Sequence, residues 1–113
     1  MRIDFKGRNV PVAEELKERV DKRFAKIAKQ VSEHAYMEIE LREERNPSIR
    51  ESQVAEVTLY LKGVTLRAGE ASDNMAHSIN LVADELARQV KRHRDKRRKR
   101  REAAKHQPDP AVS

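Results

Sequence analysis

QVAEVTLYLKGVTLRAG, residues 53–69, predicts a β-hairpin and determines how the other segments of the chain can pack around it. Two runs of alternating apolar and polar residues flank Lys62 and Gly63, which suit a two-residue turn. The turn pairs apolar residues across the strands: Leu61 with Val64, Leu59 with Leu66, and Val57 with Ala68. The other side of the hairpin carries Tyr60, Lys62, Thr65 and Arg67. A shift by one residue would exchange the two faces, so the register is well specified.

Two earlier segments complete a predicted four-stranded sheet. RIDFK (2–6) alternates and predicts a short strand, which a turn at GRN (7–9) follows. YMEIELREE (36–44) predicts a second strand with Met37, Ile39 and Leu41 on one face, and the segment 46–52 is rich in turn-forming residues. One face of the resulting sheet is apolar enough to be covered by helices.

Two helices are predicted around these strands. The first begins at Pro11, which suits a first helical position, and runs to about Gln30. Its apolar arc consists of Ala13, Leu16, Val20, Phe24, Ile27 and Val31. The second is capped by Ser72 or Asp73 and continues to about Ala104. Its buried stripe ends at Val90 and consists of Met75, Ile79, Val82, Ala83, Leu86 and Val90.

The element order therefore predicts an α+β fold of the form β-α-β-β-β-α. Two helices would pack on one face of a four-stranded sheet, and the second helix would be long and basic. We expect one domain over residues 1–104, with the second helix projecting beyond the core from about residue 91. Residues 105–113 contain two prolines and read as a linker or disordered tail.

Composition excludes several classes of site. The 113 residues contain no Cys, so disulfides, thiolate metal sites and Cys nucleophiles are ruled out, which fits a cytoplasmic location. No apolar run approaches the length of a membrane span or a signal peptide. Three glycines cannot form a phosphate-cradling loop, and the four histidines lack metal-site spacing. We therefore expect no enzymatic activity, no metal and no cofactor.

The charge distribution is strongly asymmetric. Residues 88–105 hold eleven Lys and Arg against Asp95 and Glu102, a net charge of +9 in a chain that carries +6 overall. A helix of this kind can neutralise several phosphates and release their counterions, so a nucleic acid is the favoured partner. An anionic membrane surface is less favoured, because no apolar face follows Val90.

Two other surfaces are possible contributors to binding. The first helix carries a stripe of Arg19, Lys22, Lys26 and Lys29, which is either a solvated face with pairs such as Glu18–Lys22 or a second set of phosphate contacts. Tyr36 and Tyr60 on the open sheet face could stack bases, but the nearby acidic residues Glu38, Glu40 and Glu56 argue against a broad platform there. The helices are therefore favoured over the sheet.

The element order and two segments resemble the ribosome hibernation promoting factors, also known as ribosome-associated inhibitors or sigma-54 modulation proteins. IDFKGRNVPVAEELKERVDKRFAKIAK (3–29) is similar to that family's opening strand and helix. VTLYLKGVTLRAGEASDNMAHSINLVADELARQVKRHRDK (57–96) is similar to its last hairpin and second helix. The positions that align with the family's helix pattern are Asn74, Met75, Ala76, Ser78, Ile79, Asn80, Asp84, Glu85, Leu86, Arg88, Gln89 and Arg92. Asn74 and Ala76 replace the usual Asp and Tyr, and Val10 stands where a Thr commonly caps the first helix.

The resemblance implies a translation inhibitor that binds the small ribosomal subunit and its rRNA, where tRNA and mRNA would lie, and promotes ribosome hibernation. It implies RNA contacts by basic residues of both helices: Lys22, Arg23, Lys26 and Lys29 in the first, and Arg88, Lys91, Arg92 and Arg94 in the second. Arg67 on the polar side of the hairpin is a further RNA-binding candidate. The dimerisation domain of long family members is not present in these 113 residues, so they are either a short form or the first part of a longer protein.

Two alternatives from other classes stay open on the sequence. One is a general module for double-stranded or structured RNA, whose α-β-β-β-α core is topologically close. Such modules usually place lysines at the start of the last helix, whereas SDNMAHSIN (72–80) contains no Lys or Arg. The other is a protein-interaction module that acts on transcription, for which the sequence offers no apolar surface patch.

Overall fold

The computed structural model describes residues 1–46 and 48–106 of the chain. The strands are β1 (Arg2–Arg8), β2 (Tyr36–Glu43), β3 (Gln53–Leu61) and β4 (Val64–Ser72). The helices are α1 (Glu14–Arg23), α2 (Ala25–Gln30) and α3 (Met75–His106). Residues 105 and 106, expected in a linker, continue α3, and residues 107–113 of that expected linker lie outside the described part of the chain.

The four strands form one mixed sheet in the order β1-β2-β3-β4. β1 is parallel to β2, because the helical segment between them carries the chain back to the end of the sheet at which β1 began. The other neighbouring pairs are antiparallel. The hairpin register is confirmed: Leu59 pairs with Leu66 and Val57 with Ala68. Gly63 in the turn has φ +80°, a left-handed conformation that glycine adopts at little steric cost.

The helices cover one face of this sheet, as the α+β prediction requires. Met37, Ile39 and Leu41 of β2 are fully buried beneath them, as the alternation of that strand predicts. One apolar cluster unites the sheet with α1, α2 and α3. The largest of its fully buried residues also include Val20, Phe24, Ile27, Val57, Leu59, Ile79, Val82, Leu86 and Val90.

The prediction of one continuous first helix that begins at Pro11 is wrong. β1 runs through Arg8, Asn9 then takes a left-handed φ of 60°, and the chain stays non-helical until the N-cap residue Ala13. In this segment Val10 and Val12 pack against the core, which explains why the helix begins late and why Val10 is not its cap.

The first helix is also interrupted at Phe24, which has φ −96° and ψ 1° and separates α1 from α2. Backbone hydrogen bonds nevertheless cross the interruption, from Phe24 N–H to Val20 O (2.9 Å) and from Ala28 N–H to Phe24 O (3.0 Å). Phe24 is fully buried. The local distortion therefore accompanies the packing of its ring, since no Gly or Pro lies between Ala13 and Gln30.

The cap of α3 is Asn74 rather than Ser72 or Asp73. The Asn74 side-chain oxygen accepts a hydrogen bond from the backbone N–H of His77 at 3.1 Å, which satisfies one free donor of the first turn. Ser72 instead lies buried at the end of β4, with its Oγ 2.7 Å from Ser78 Oγ. Ser78 in turn donates to the carbonyl of Gln53 at 2.6 Å, which ties the start of α3 to β3.

Gly7 permits the close approach of β1 to the segment that follows it. A Cβ at this position would lie 2.6 Å from the carbonyl oxygen of Val10 and 2.8 Å from Cγ2 of Val12. We expect Gly7→Ala to lower the free energy of unfolding by about 1–3 kcal/mol, the usual effect of overpacking, as measured by urea denaturation. Gly69→Ala is the control, because its Cβ would meet only the flexible side chain of Glu56 at 3.3 Å. Equal losses in the two variants would contradict the steric explanation.

Candidate nucleic-acid interface

The basic end of α3 extends well past the core. Val90 is the last fully buried residue between Met75 and Ala103, and the helix continues to His106. At 1.5 Å per residue this continuation is about 24 Å long. The side chains from Arg94 to Ala103 are all exposed, and they include the six consecutive cations Lys96, Arg97, Arg98, Lys99, Arg100 and Arg101. We call residues 91–106 the basic arm.

Three of the four predicted α3 cations share a groove between α2 and α3. Arg88, Lys91 and Arg94 line it together with Gln30 at the end of α2. Asp95 is the acidic residue in this lining. The groove can therefore present positive charge to a phosphate backbone that lies along the helices.

The fourth cation, Arg92, lies on the other flank of α3. It lines a shallow surface with Lys96, His93 and the hairpin residues Val64 and Leu66. The four α3 candidates thus divide between two flanks of one helix, and Arg88 and Arg92 are both highly exposed, at 65% and 70% of their side-chain surface. A polyanion that contacts all four must wrap around the exposed side of α3.

Glu85 connects several of these residues. Its Oε2 accepts hydrogen bonds from Arg88 Nη2 at 2.6 Å and Arg88 Nε at 3.2 Å. Its Oε1 lies 3.9 Å from Arg92 Nη2 and 3.4 Å from Gln89 Nε2. The bonds from Arg88 and Gln89 hold the pKa of Glu85 below its ordinary value, and Glu85 raises the pKa of Arg88. The carboxylate is therefore ionised wherever RNA binding would be measured.

The first-helix candidates Lys22, Arg23, Lys26 and Lys29 are all exposed on α1 and α2. Among the residues that the structure describes, none of the four has a carboxylate oxygen within 4.0 Å, so the Glu18–Lys22 pair named for the solvated-face alternative is not formed. Gln30 is the residue of α2 that lines the groove shared with α3. The structure thus leaves these four cations available on the helical side of the domain.

Arg67 is separated from the other candidates. Its side chain lies on the outer face of the sheet, beside Glu56, Thr58 and Gly69. Only its backbone carbonyl faces α3, where it accepts a hydrogen bond from Gln89 at 2.7 Å. Arg67 therefore stays a prediction that belongs to a different surface from the helical cations.

The outer sheet face has little room for base stacking on Tyr36. Its ring stacks on Tyr60 with centroids 5.5 Å apart, and Arg2 lies 5.7 Å from its centroid. The Tyr36 hydroxyl lies 2.8 Å from Asp4 and 3.0 Å from Glu38. The hydrogen bond to Asp4, with smaller effects from desolvation and Glu38, raises the pKa of Tyr36 well above its ordinary value. These contacts support the expectation that the helices, not the outer sheet face, meet nucleic acid.

Sequence reasoning missed the role of Glu85 and Gln89. Their spacing from Arg88 is a signal for side-chain pairs on one helix, at i,i+3 for Glu85 and Arg88 and at i,i+4 for Glu85 and Gln89. The bond from Gln89 to β4 has no such local signal. Within residues 1–46 and 48–106 we find no group of three or more potential metal ligands, and no helix there is long and apolar enough to span a membrane.

Comparison with protein families gives a match over most of the chain. Residues 3–98 match the family model described as sigma 54 modulation protein / S30EA ribosomal protein. A ribosome hibernation promotion factor of Picosynechococcus is 33% identical over 97 residues, which cover 85% of this chain and 50% of the relative. A ribosome hibernation promoting factor of Salmonella typhimurium is 29% identical over 96 residues, which cover 85% of this chain and 96% of the relative.

Two solved structures share the fold. The N-terminal domain of Thermus thermophilus Protein Y superposes with a TM-score of 0.71 at 23% identity, covering 82% of this chain and 99% of that domain. A ribosomal subunit interface protein from Coxiella burnetii gives a TM-score of 0.72 at 19% identity, covering 84% of this chain and 99% of that protein. At these identities the likeness concerns the fold.

Proposed function

Because the chain belongs to the sigma 54 modulation protein / S30EA ribosomal protein family, we propose that it is a ribosome-associated factor that promotes ribosome hibernation in the cytoplasm. The names of its relatives in Picosynechococcus and Salmonella support this role. Within it, the chain binds rRNA of the small subunit, in the channel that tRNA and mRNA otherwise occupy. Inhibition of translation then follows from occupancy of the channel and requires no chemical step.

The observation that carries this proposal is the basic α3 on a compact acidic-to-neutral frame. The cations of residues 88–101 lie on one continuous helix, which places them along a single axis. Each phosphate that they neutralise releases counterions, which supplies affinity for RNA. Arg, which accounts for most of these cations, adds planar bidentate contacts with phosphate oxygens.

The relatives differ in how much of their length the match covers. The chain spans half the length of the Picosynechococcus relative and nearly all of the Salmonella relative. The proposal therefore concerns binding and inhibition by the domain described here. Pairing of ribosomes into dimers is not part of it.

Gradient sedimentation with purified small subunits, large subunits and whole ribosomes tests the proposal. We expect stoichiometric comigration with small subunits and whole ribosomes at near-physiological salt, and inhibition of a parallel translation assay. Ribosomes filled beforehand with tRNA and mRNA should exclude the protein. Binding that disappears at physiological salt, or that spreads equally over large subunits and free RNA, would mean that the basic arm attracts any polyanion.

The salt dependence of binding decides whether the first-helix cations contact phosphates. We expect the double variant K26Q/K29Q to reduce the slope of log K against log salt by about 0.7–0.9 for each phosphate that the variant no longer neutralises. Lys62→Gln in the exposed hairpin turn is the control, with an expected slope close to that of the unaltered protein. An unchanged slope in K26Q/K29Q would assign these two lysines to a solvated face.

A further inference from the structure

Glu85 is an acidic residue beside Arg88 and Arg92 at the start of the cationic part of α3, and it is more covered than these two arginines. Its side chain is 28% exposed, against 65% for Arg88 and 70% for Arg92. Arg88 binds it with two nitrogens, at 2.6 and 3.2 Å. This forked contact fixes the guanidinium plane more firmly than one hydrogen bond would.

The same carboxylate is connected to the sheet through Gln89. The Gln89 amide lies 2.7 Å from the carbonyl oxygen of Arg67 in β4 and 3.4 Å from Glu85 Oε1. Its two N–H groups can serve both acceptors at once. Because β4 is paired along its length with β3, its backbone is a rigid anchor. A chain of contacts therefore runs from the β4 backbone through Gln89 and Glu85 to Arg88.

Arg88 keeps donors for a ligand in this arrangement. A guanidinium carries five N–H donors, and Glu85 engages those of Nε and one of Nη2. The Nη1 hydrogens and the second Nη2 hydrogen remain at the outer end of the group. Two of these can bind a phosphate side by side. Since Glu85 already holds the side chain, binding a phosphate costs less side-chain entropy than it would for a free arginine.

We propose that Glu85 is a positioning residue for RNA recognition, which holds Arg88 with the outer end of its guanidinium turned toward a phosphate of the small-subunit rRNA. The inference rests on the proposed binding to the small subunit. Glu85 would also help the protein to distinguish the small-subunit rRNA from other polyanions. Its negative charge weakens attraction to any polyanion, whereas an ordered Arg88 strengthens binding only where a phosphate occupies the matching place.

The test compares Glu85→Gln with Glu102→Gln in the full chain. Both substitutions remove one negative charge from α3, but among the side chains that the structure describes, up to Ala103, Glu102 pairs with Arg98 of the basic arm at 3.5 Å and makes no contact with the sheet. We expect Glu85→Gln to weaken binding to small subunits by roughly two- to tenfold, because Arg88 is then no longer held in place before the RNA binds. Binding to a mixed-sequence RNA duplex should be unchanged or tighter. Glu102→Gln should weaken neither.

A double-mutant cycle with Arg88→Gln distinguishes positioning from a general effect on the fold. If Glu85 acts through Arg88, Glu85→Gln should cause no further loss of small-subunit binding in the Arg88→Gln background. A full loss in that background would overturn the inference, as would small-subunit binding by Glu85→Gln equal to or tighter than that of the unaltered protein. Failure of the unaltered protein to bind small subunits would instead overturn the proposed function, and the inference with it.

Discussion

Replacing Arg88, Lys91, Arg92 and Arg94 together by Glu is expected to abolish binding to the small ribosomal subunit at near-physiological salt. These residues lie on both flanks of α3, three of them in the groove beside α2. If each contacts one phosphate, their loss removes about three to four units from the salt slope, and the four carboxylates add repulsion. Sedimentation with small subunits over a series of salt concentrations measures the effect.

The matched control for this reversal places the same charge change on the other side of the domain. Arg2, Lys6, Arg8 and Lys62 are exposed and belong to the strands or to the hairpin turn, so their replacement by Glu alters net charge equally. We expect this variant to keep most of its affinity. Glu is a good helix former, and the α3 variant should therefore stay folded, as circular dichroism can verify. Equal losses in both variants would show that net charge alone governs binding.

Phe24→Ala is expected to produce the largest loss of stability. Phe24 is fully buried at the junction of α1 and α2, within the cluster that joins both helices to the sheet. Removal of a buried Phe side chain costs about 3–5 kcal/mol, since it leaves a cavity that the surroundings fill only in part. The free energy of unfolding of a domain of this size is about 5–15 kcal/mol, so the variant loses a large share of its stability. Urea denaturation measures the change.

Phe5→Ala is the comparison for that result. Phe5 is only partly buried, on the edge strand β1, with the Lys17 ammonium 5.9 Å from its ring centroid. Phe5→Ala should therefore lower the free energy of unfolding clearly less than Phe24→Ala does. A loss below about 1 kcal/mol for Phe24→Ala would contradict the role that we give to its ring in the α1–α2 junction.

The sheet could be predicted because its sequence carries two signals that agree. Alternation in β3 and β4 gives the buried face, and the Lys62-Gly63 turn gives the register. The interruption at Phe24 has no such signal, because apolar residues keep a helical spacing through Val20, Phe24 and Ile27 and no Gly or Pro intervenes. The conformation there depends on how the ring packs in an apolar core that is built from segments distant in sequence.

The candidate site could be predicted only as far as its charge is visible in the sequence. The cations of α3 could be identified from their density alone, but their division between two flanks depends on what packs beside the helix. The Gln89 bond to β4 likewise requires the position of the edge strand. The face on which Arg67 lies could be predicted, because the alternation of apolar and polar residues in β4 places it on the side of the sheet away from the helices.

If the chain binds as proposed, the helical side of the domain faces the small-subunit rRNA. The chain contains no Cys, so single cysteines can carry a hydroxyl-radical probe at chosen positions. Ala87→Cys places the probe beside Arg88 in the α2–α3 groove, and Thr65→Cys places it on the outer sheet face, both at exposed positions. We predict that the probe at residue 87 cleaves rRNA within the tRNA and mRNA channel of the small subunit, with little cleavage from residue 65. Strong cleavage from residue 65 and none from residue 87 would instead place the outer sheet face against the rRNA.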